Sequence, residues 1–163
     1  MSWRNMTADD IPAILRVADV VHPGLPESED VFAERLDLFP EGCLILVQDD
    51  QICGYAISHP IRHRQPPALN SLLGEIAADA DQYYIHDVAV LPSFRGRALA
   101  RGCVDMLLAV AKGYQYPATC LVSVYGTSTF WAHFGFVPGQ ADAGLSKKLR
   151  GYGDDATFMM RKN

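Results

Sequence analysis

The chain has 163 residues, a length that suits one domain, because domains usually need roughly 100 to 200 residues. Hydrophobic residues make up 49% and charged residues 20%, which excludes a disordered or collagen-like chain. With 14 Lys and Arg against 19 Asp and Glu, the net charge is -5, which argues against nonspecific nucleic-acid binding. We therefore expect a single domain over residues 1–163, in which any anion site is local.

Nothing in the sequence predicts a membrane or metal partner. No apolar run approaches the roughly 18 residues of a membrane span, and residues 1–5 lead into no signal-peptide stretch, so a cytoplasmic protein is expected. The cysteines are far apart in apolar surroundings, without a CxxC pair or a His at ligand spacing. Buried free thiols are therefore expected at Cys43, Cys53, Cys103 and Cys120.

The N-terminal half is predicted to begin with a short strand over residues 3–6. Capping residues followed by apolar residues at helical spacing predict helices over 7–21 and 28–39, the second ended by Pro40. Two apolar runs between residues 43 and 59 flank Asp49 and Asp50, which predicts an antiparallel hairpin.

The second half begins with a proline-rich segment, residues 60–81, with a short helix predicted around 72–78. Further on, the sequence predicts a strand over 83–90, a long helix over 98–112 that stops at Gly113, a strand over 120–124, a short helix over 128–133 and a strand over 158–160. The predicted order is βααβββαβαβ.

Residues 88–100 read as a strand, a turn with arginines and small residues, and then a long helix. The first turn of a helix has unpaired N–H groups and a positive dipole end, which together suit a phosphate. Small residues at 96, 98 and 100 let a pyrophosphate approach those amides. The sequence lacks GxxxxGK[ST] and a GxGxxG after the strand, which argues against P-loop and Rossmann sites. An ordinary helix start with solvated arginines remains an alternative.

Residues 95–100, RGRALA, resemble the [RQ]xxGx[GA] coenzyme A signature of the GNAT N-acetyltransferase superfamily. Residues 130–136, FWAHFGF, resemble the aromatic-rich helix that ends in Gly-Phe in that superfamily. The resemblance implies an α/β fold with a mixed, mainly antiparallel sheet and helices on both faces. It also implies acetyl-coenzyme A (acetyl-CoA) as the cofactor.

The resemblance assigns cofactor contacts to the turn and to the strand before it. The implied pyrophosphate amides are those of Arg95, Gly96, Arg97, Ala98, Leu99 and Ala100, and the implied pantetheine partners are Val88, Ala89 and Val90. Trp131 is expected to pack against the cofactor's arm. Ala98 stands where glycine is usual, and its methyl group is expected to reduce affinity for the cofactor.

His86 is the first candidate for the general base, because an imidazole titrates near neutrality. Strand alternation predicts one face for Tyr84, His86 and Val88, and the opposite face for Asp87 unless a bulge intervenes; Asp87 is the reserve base. Residues 84–90 also resemble the arylalkylamine N-acetyltransferase branch, which has histidines at positions 84 and 86. A histidine bonded to a backbone carbonyl and a salt-bridged aspartate are the structural alternatives.

The general acid is less clearly marked. The superfamily often has a tyrosine where this chain has Trp131, and an indole N–H is a poor proton donor. Tyr125, at the end of the preceding strand, is the candidate substitute. The alternative is a tyrosine that packs its ring and leaves its hydroxyl in water.

The sequence thus predicts an acetyl-CoA-dependent N-acetyltransferase that transfers the acetyl group directly to a primary amine in a ternary complex. Its acidic net charge favours a cationic acceptor. Three alternatives remain: a noncatalytic acyl-CoA binding or sensing module, an interaction domain with a vestigial site, and a protein or peptide N-terminal acetyltransferase. No nucleic-acid partner is expected, and a homodimer stays open.

Overall fold

The computed structural model describes residues 2–96 and 98–163, so the predicted contact residue Arg97 lies outside the described residues. Seven strands form one sheet, in the spatial order β1-β2-β3-β4-β5-β7-β6. The strands are β1 Ser2–Asn5, β2 Cys43–Gln48, β3 Gln51–Ile61, β4 Gln82–Val90, β5 Ala118–Ser123, β6 Val137–Pro138 and β7 Thr157–Lys162. The pairing of β4 with β5 is parallel and the other pairings are antiparallel.

The described residues form five α-helices beside the sheet: α1 Ile11–Val21, α2 Glu29–Leu38, α3 Leu99–Gly113, α4 Ser128–Ala132 and α5 Ala143–Gly151. Short 3₁₀ helices precede α1, β2 and α3. The predicted α/β fold with a mixed, mainly antiparallel sheet is confirmed.

Helix α3 covers one face of the sheet. Its buried residues recur at helical spacing, among them Cys103, Val104 and Leu107, and these pack against Leu44 and Ile85 of the sheet. Burial of this apolar stripe drives the docking of the helix, since burial stabilises by about 25 cal/mol per Å².

Helices α1 and α2 cover the opposite face. Ile14 and Val17 of α1 and Phe32 of α2 pack against Tyr55 and Ile57 of β3. Helix α5 lies against strands β4, β5 and β7. It contributes Leu145 to a cluster with Tyr84, Cys120 and Phe158. The two faces therefore hold separate cores.

All four cysteines are buried, as predicted, and none of them forms a disulfide within the described residues. Among the described residues, no helix combines the length and apolar character needed to cross a membrane.

Two elements are absent from the sequence prediction, strand β6 and helix α5. β6 has only two residues, too few to show a strand period, whereas α5 is amphipathic and was overlooked although its pattern can be read from the sequence. The signal for α5 is its N-cap, Asp142, whose Oδ1 accepts from the N–H of Leu145 at 2.7 Å.

Two local predictions are wrong. Residues 72–78 form no helix and belong to the loop between β3 and β4, whose backbone is bonded to side chains of α2. Gly113 is the last residue of α3 and not its left-handed stop; Gln115, with φ of 64°, has that conformation two residues later.

A bulge in β4 changes the direction of its side chains. Ile57 pairs with Asp87 and Ser58 pairs with Ile85, so His86 is the extra residue with no partner in β3. The predicted grouping of Val88 with His86 is therefore wrong: Val88 packs in the α3 core, while His86 and Asp87 both face the α1 and α2 side.

Candidate active site

A cleft of about 710 Å³ opens where β4 and β5 diverge. The two strands pair only from Tyr83 to Ile85 on β4 and from Thr119 to Leu121 on β5. Beyond Ile85, β4 continues to Val90 without a β5 partner, so this stretch of its edge can pair with an extended ligand, although the Val90 carbonyl already accepts from Arg95 Nε.

The cleft extends from this free edge to the first turn of α3. Its described lining residues include Val88, Ala89, Val90, Arg95, Gly96, Ala98, Leu99 and Ala100. Trp131 of α4 lines it from the other side. The cofactor residues predicted from the sequence, Arg97 apart, thus lie around one cavity.

Two described residues of the turn before α3 have positive φ. Gly96 has φ of 80° and Ala98, the N-cap of α3, has φ of 58°. A Cβ placed on Gly96 would meet no atom within 4 Å, so the backbone there is open to a ligand. The open turn, the amides of the first helical turn and the adjoining cleft fit an extended ligand with a phosphate at one end.

Side chains from elsewhere hold this turn in place. The indole Nε1 of Trp3 donates to the carbonyl of Leu99 at 2.9 Å, which ties α3 to strand β1. Arg95 Nε donates to the carbonyl of Val90 at 3.0 Å, so its side chain folds back onto the end of β4.

A smaller chamber of about 40 Å³ adjoins the cleft on the α1 and α2 side. His22, His86 and Asp87 line both spaces. The chamber is also lined by the acidic residues Asp19 and Glu27, and none of its described lining residues is Lys or Arg. Glu27 and Asp87 each face a histidine, whereas no described histidine is bonded to Asp19, so Asp19 is the carboxylate that favours a cation here.

Asp87 lies at the junction of the two spaces, with both oxygens bonded. Tyr55 donates its hydroxyl hydrogen to Oδ2 at 2.5 Å, and His22 Nε2 lies 2.9 Å from Oδ1. Burial and the charge of Asp87 raise the pKa of Tyr55 well above its usual value, so the phenol remains a donor. Because the bulge turns Asp87 toward α1, the expectation that it faces away from His86 is corrected.

His86 Nε2 is bonded to Glu27 Oε1 at 2.6 Å, and both side chains are almost wholly buried, at 2% and 6% exposure. Burial alone would raise the pKa of Glu27, but the charge and hydrogen bond of His86 outweigh it and lower this pKa. Glu27 Oε2 also accepts from the N–H of Asn70 at 3.0 Å, so the pair fastens the loop between β3 and β4. His86 therefore bonds to a carboxylate and not to a backbone carbonyl.

A family model described as "Acetyltransferase (GNAT) family" matches residues 9–136, which hold the cleft, the turn and most of the chamber. The chain belongs to the GNAT acetyltransferase family. No curated protein matches it.

Solved structures share the GNAT fold at low sequence identity. The loading GNATL domain of CurA from Lyngbya majuscula has a TM-score of 0.82 at 12% identity, over 99% of this chain and 96% of that one. Ard1 from Thermoplasma volcanium has a TM-score of 0.72 at 15% identity, over 99% and 96%. Rv2747 from Mycobacterium tuberculosis, in complex with CoA, has a TM-score of 0.69 at 17% identity, over 100% and 99%.

The other site residues predicted for this GNAT protein differ in how deeply they are buried. Tyr84 is fully buried, with ring contacts to His59 and His86, and is not among the residues lining either space. Trp131 is 8% exposed and packs edge-on against Phe136, so it belongs to the core as well as to the cleft wall.

Tyr125 is 52% exposed and lines the cleft at the end of β5. Its hydroxyl lies 3.0 Å from His22 Nδ1, and its ring stacks on that imidazole with centroids 5.5 Å apart. The ring of Tyr125 is therefore packed, as the alternative expects, and its hydroxyl has a partner in His22 while the residue stays half exposed.

Sequence reasoning missed His22, Glu27 and Tyr55. His22 follows the end of α1 and Glu27 lies in the segment before α2, where no strand or helix periodicity marks them. Tyr55 reads as an ordinary core residue of β3. Only the fold brings these three residues beside His86 and Asp87.

Proposed function

We propose that this protein is an acetyl-CoA-dependent N-acetyltransferase that acts on a small, cationic primary amine. The observation that carries the proposal is the junction at Asp87, where the cleft that ends at the α3 turn meets a carboxylate-lined chamber. The cleft suits acetyl-CoA and the chamber suits the amine, and the two substrates would react at the junction.

Acetyl-CoA would supply the activated acetyl thioester. The backbone of residues 88–90 suits its pantetheine arm, and the amides of Gly96, Ala98, Leu99 and Ala100 suit its pyrophosphate. Arg95 and Arg97 remain predicted contacts. CoA bound to Rv2747, which has the same fold, supports this part of the proposal.

Asp87 is the better candidate for contact with the amine. An alkylamine has a pKa near 10.4, so freeing its lone pair at pH 7 costs about 4.6 kcal/mol, which a nearby proton acceptor offsets. Asp87 is 14% exposed, whereas His86 is 2% exposed with one nitrogen held by Glu27. We therefore assign contact with the amine substrate to Asp87. The buried His86 and Glu27 pair supports the wall of the chamber.

The chamber favours a small amine with an apolar body. Leu25, Phe32, Leu69 and Val122 line it beside the carboxylates, and its volume is only about 40 Å³. An acceptor with its own carboxylate would be repelled. The local resemblance to the arylalkylamine branch agrees with this class.

A peptide amine is the second candidate, because the Arabidopsis thaliana Naa50 structure, with a peptide-based bisubstrate analogue, shares the fold at a TM-score of 0.72 and 13% identity.

Calorimetric titration with acetyl-CoA tests the cleft. The wild type is expected to bind at micromolar concentration and Ala100→Glu to lose at least tenfold in affinity. A carboxylate in the first turn of α3 suits the helix dipole but repels the pyrophosphate. Ala109→Glu, on the exposed side of the same helix, is the matched control and should bind like the wild type. No binding by the wild type would overturn the proposal.

Transfer is then measured as thiol release with butylamine, benzylamine, glutamate and an alanine-initiated peptide as acceptors. The proposal expects turnover with the first two and much less with glutamate. Turnover with the peptide alone would favour an N-terminal acetyltransferase. Saturable binding of acetyl-CoA without turnover on any acceptor would favour the noncatalytic sensing module.

A further inference from the structure

His22 is the one described histidine that bonds at both ring nitrogens to side chains of the site. Its Nε2 lies 2.9 Å from Asp87 Oδ1 and its Nδ1 lies 3.0 Å from the hydroxyl of Tyr125. Asp87 borders the acceptor chamber, and Tyr125 lines the cleft. The imidazole therefore connects a carboxylate at the amine side with a phenol at the thioester side.

We propose, on the basis of the proposed function, that His22 conducts a proton between Asp87 and Tyr125 and so couples the base of the reaction to its acid. An imidazole suits this task because each nitrogen can donate or accept a proton. Asp87 and Tyr125 are the residues that would touch the substrates. His22 acts between them.

The proton balance of acetyl transfer fits a single relay. The reaction breaks one N–H bond of the neutral amine and the C–S bond of the thioester, and it forms the amide C–N bond and one S–H bond. Asp87 accepts the proton that leaves nitrogen, and Tyr125 donates a proton to the departing sulfur. His22 restores both groups when it accepts from Asp87 at Nε2 and donates to Tyr125 at Nδ1. The cationic amine releases its first proton to solvent before this step, which leaves the neutral nucleophile, and the relay carries the second proton; no oxidant is required.

Trp131 stands where the superfamily often has its proton donor, but it has no suitable group. Tyr125 has features that suit it to donate the proton instead. Its backbone has φ of 56°, a conformation that bulky residues rarely adopt, and this places it at the cleft mouth. Burial and the charge of Asp87 raise its pKa, which keeps the phenol protonated at neutral pH. The stacked ring of His22 fixes its orientation.

The charges around His22 support a proton-carrying role. Burial alone would lower its pKa, but the hydrogen bond and charge of Asp87, together with the charge of Glu27, outweigh burial and raise it. Arg95 and Tyr125 are the other titratable groups that face it, and Arg95 opposes the rise. Asp87 and Glu27 thus stabilise a proton on the imidazole, which is the species formed when Asp87 passes its proton to His22.

A first experiment follows the His22 imidazole by NMR in histidine-labelled protein without ligand, with the signal assigned by its loss in His22→Gln. The proposal expects the pKa of His22 to exceed its ordinary value of about 6.5 and to fall by roughly one unit or more in Asp87→Asn. Tyr125→Phe should shift the Nδ1 resonance. A pKa unchanged in Asp87→Asn would contradict the relay.

A second experiment measures transfer to butylamine across pH. Glutamine at position 22 can keep both hydrogen bonds but cannot carry a proton, so His22→Gln should lower kcat by about 10²- to 10⁴-fold, leave KM for the amine nearly unchanged and alter the pH profile. Tyr125→Phe should lower kcat similarly. The double variant should lose little more than either single variant, because the residues act as one unit. His133→Gln, an exposed histidine outside the site, is the control.

The outcomes separate the two proposals. A wild type that binds acetyl-CoA and transfers it, with His22→Gln unchanged in kcat or with additive losses in the double variant, would overturn the relay alone. A wild type without transfer would overturn the proposed function and the relay with it. Thermal melts of each variant check folding, and Tyr125→Phe carries the test if His22→Gln does not fold.

Discussion

Ala98 has a left-handed backbone, with φ of 58°, at the N-cap of the longest helix. The Cβ of an L-residue costs about 1 to 2 kcal/mol in this conformation, whereas glycine adopts it freely. The sequence comparison with the superfamily marks Ala98 as a departure that crowds the phosphate. The structure adds that the departure also strains the protein's own turn.

Ala98→Gly is therefore expected to raise the free energy of unfolding by about 1 kcal/mol and the melting temperature by about 2 to 4 °C. Calorimetric melting measures this change, and affinity for acetyl-CoA should not fall. The control is Ala109→Gly in the exposed middle of α3, where the same substitution should lower stability by about 1 kcal/mol. A loss of stability in Ala98→Gly would contradict the strain at this residue.

At the scale of elements, the site depends on how β3 and β4 are joined to the segments around them. The bulge at His86 places two consecutive side chains on the same side of the sheet. Near the start of β4, Tyr83 and Ser58 form a buried hydroxyl pair, and Ser58 Oγ donates to the carbonyl of Gly42 at 2.9 Å. The register of β3 and β4 is thus tied to the segment before β2.

Gly42→Ala tests this close packing. A Cβ at Gly42 would lie 2.1 Å from the Ser58 carbonyl oxygen and 2.8 Å from the Tyr83 hydroxyl oxygen, and backbone must move to admit it. We expect a loss of about 1 to 3 kcal/mol or more in the free energy of unfolding, measured by urea denaturation. Gly24→Ala, where a Cβ meets nothing within 4 Å, should change stability by less than about 0.5 kcal/mol. Equal losses would refute the packing argument.

At the scale of the whole molecule, a net charge of -5 is combined with a chamber, proposed to hold the amine, that is lined by three carboxylates. Overall charge alone attracts cations weakly, because salt screens it over about 8 Å at physiological ionic strength. A chamber with low-dielectric walls focuses the potential near the reacting group. Asp19 is the exposed member of the three and so contributes to the potential at the entrance.

We expect kcat/KM for butylamine to fall several-fold as salt rises from about 0.02 to about 0.5 M, with the change mainly in KM. Asp19→Asn should weaken this salt dependence. Asp105→Asn changes the net charge equally on the exposed side of α3, away from both spaces, and is the control. Steady-state kinetics at several salt concentrations measure both. An identical effect of the two substitutions would show that net charge, and not the chamber, attracts the amine.

The sequence by itself determined the fold class, most strands and helices and the location of the turn before α3. These features depend on local periodicity and capping, which are written in consecutive residues. The residues that line the cleft beside this turn could be predicted because residues 88–100 are contiguous. Of the elements it missed, β6 is too short to leave such a pattern, whereas the cap and the amphipathic spacing of α5 are present in the sequence.

Only the tertiary structure decided which side chains meet at the junction of the two spaces. His22, Tyr55, Asp87 and Tyr125 come from four separate segments, and no local pattern records contacts across 32 to 103 residues of chain. Strand alternation also failed at Asp87, because a bulge is set by pairing with β3 and not by the sequence of β4 alone. The chemistry assigned to this site therefore follows from long-range pairing, while the cleft beside it follows from one continuous segment.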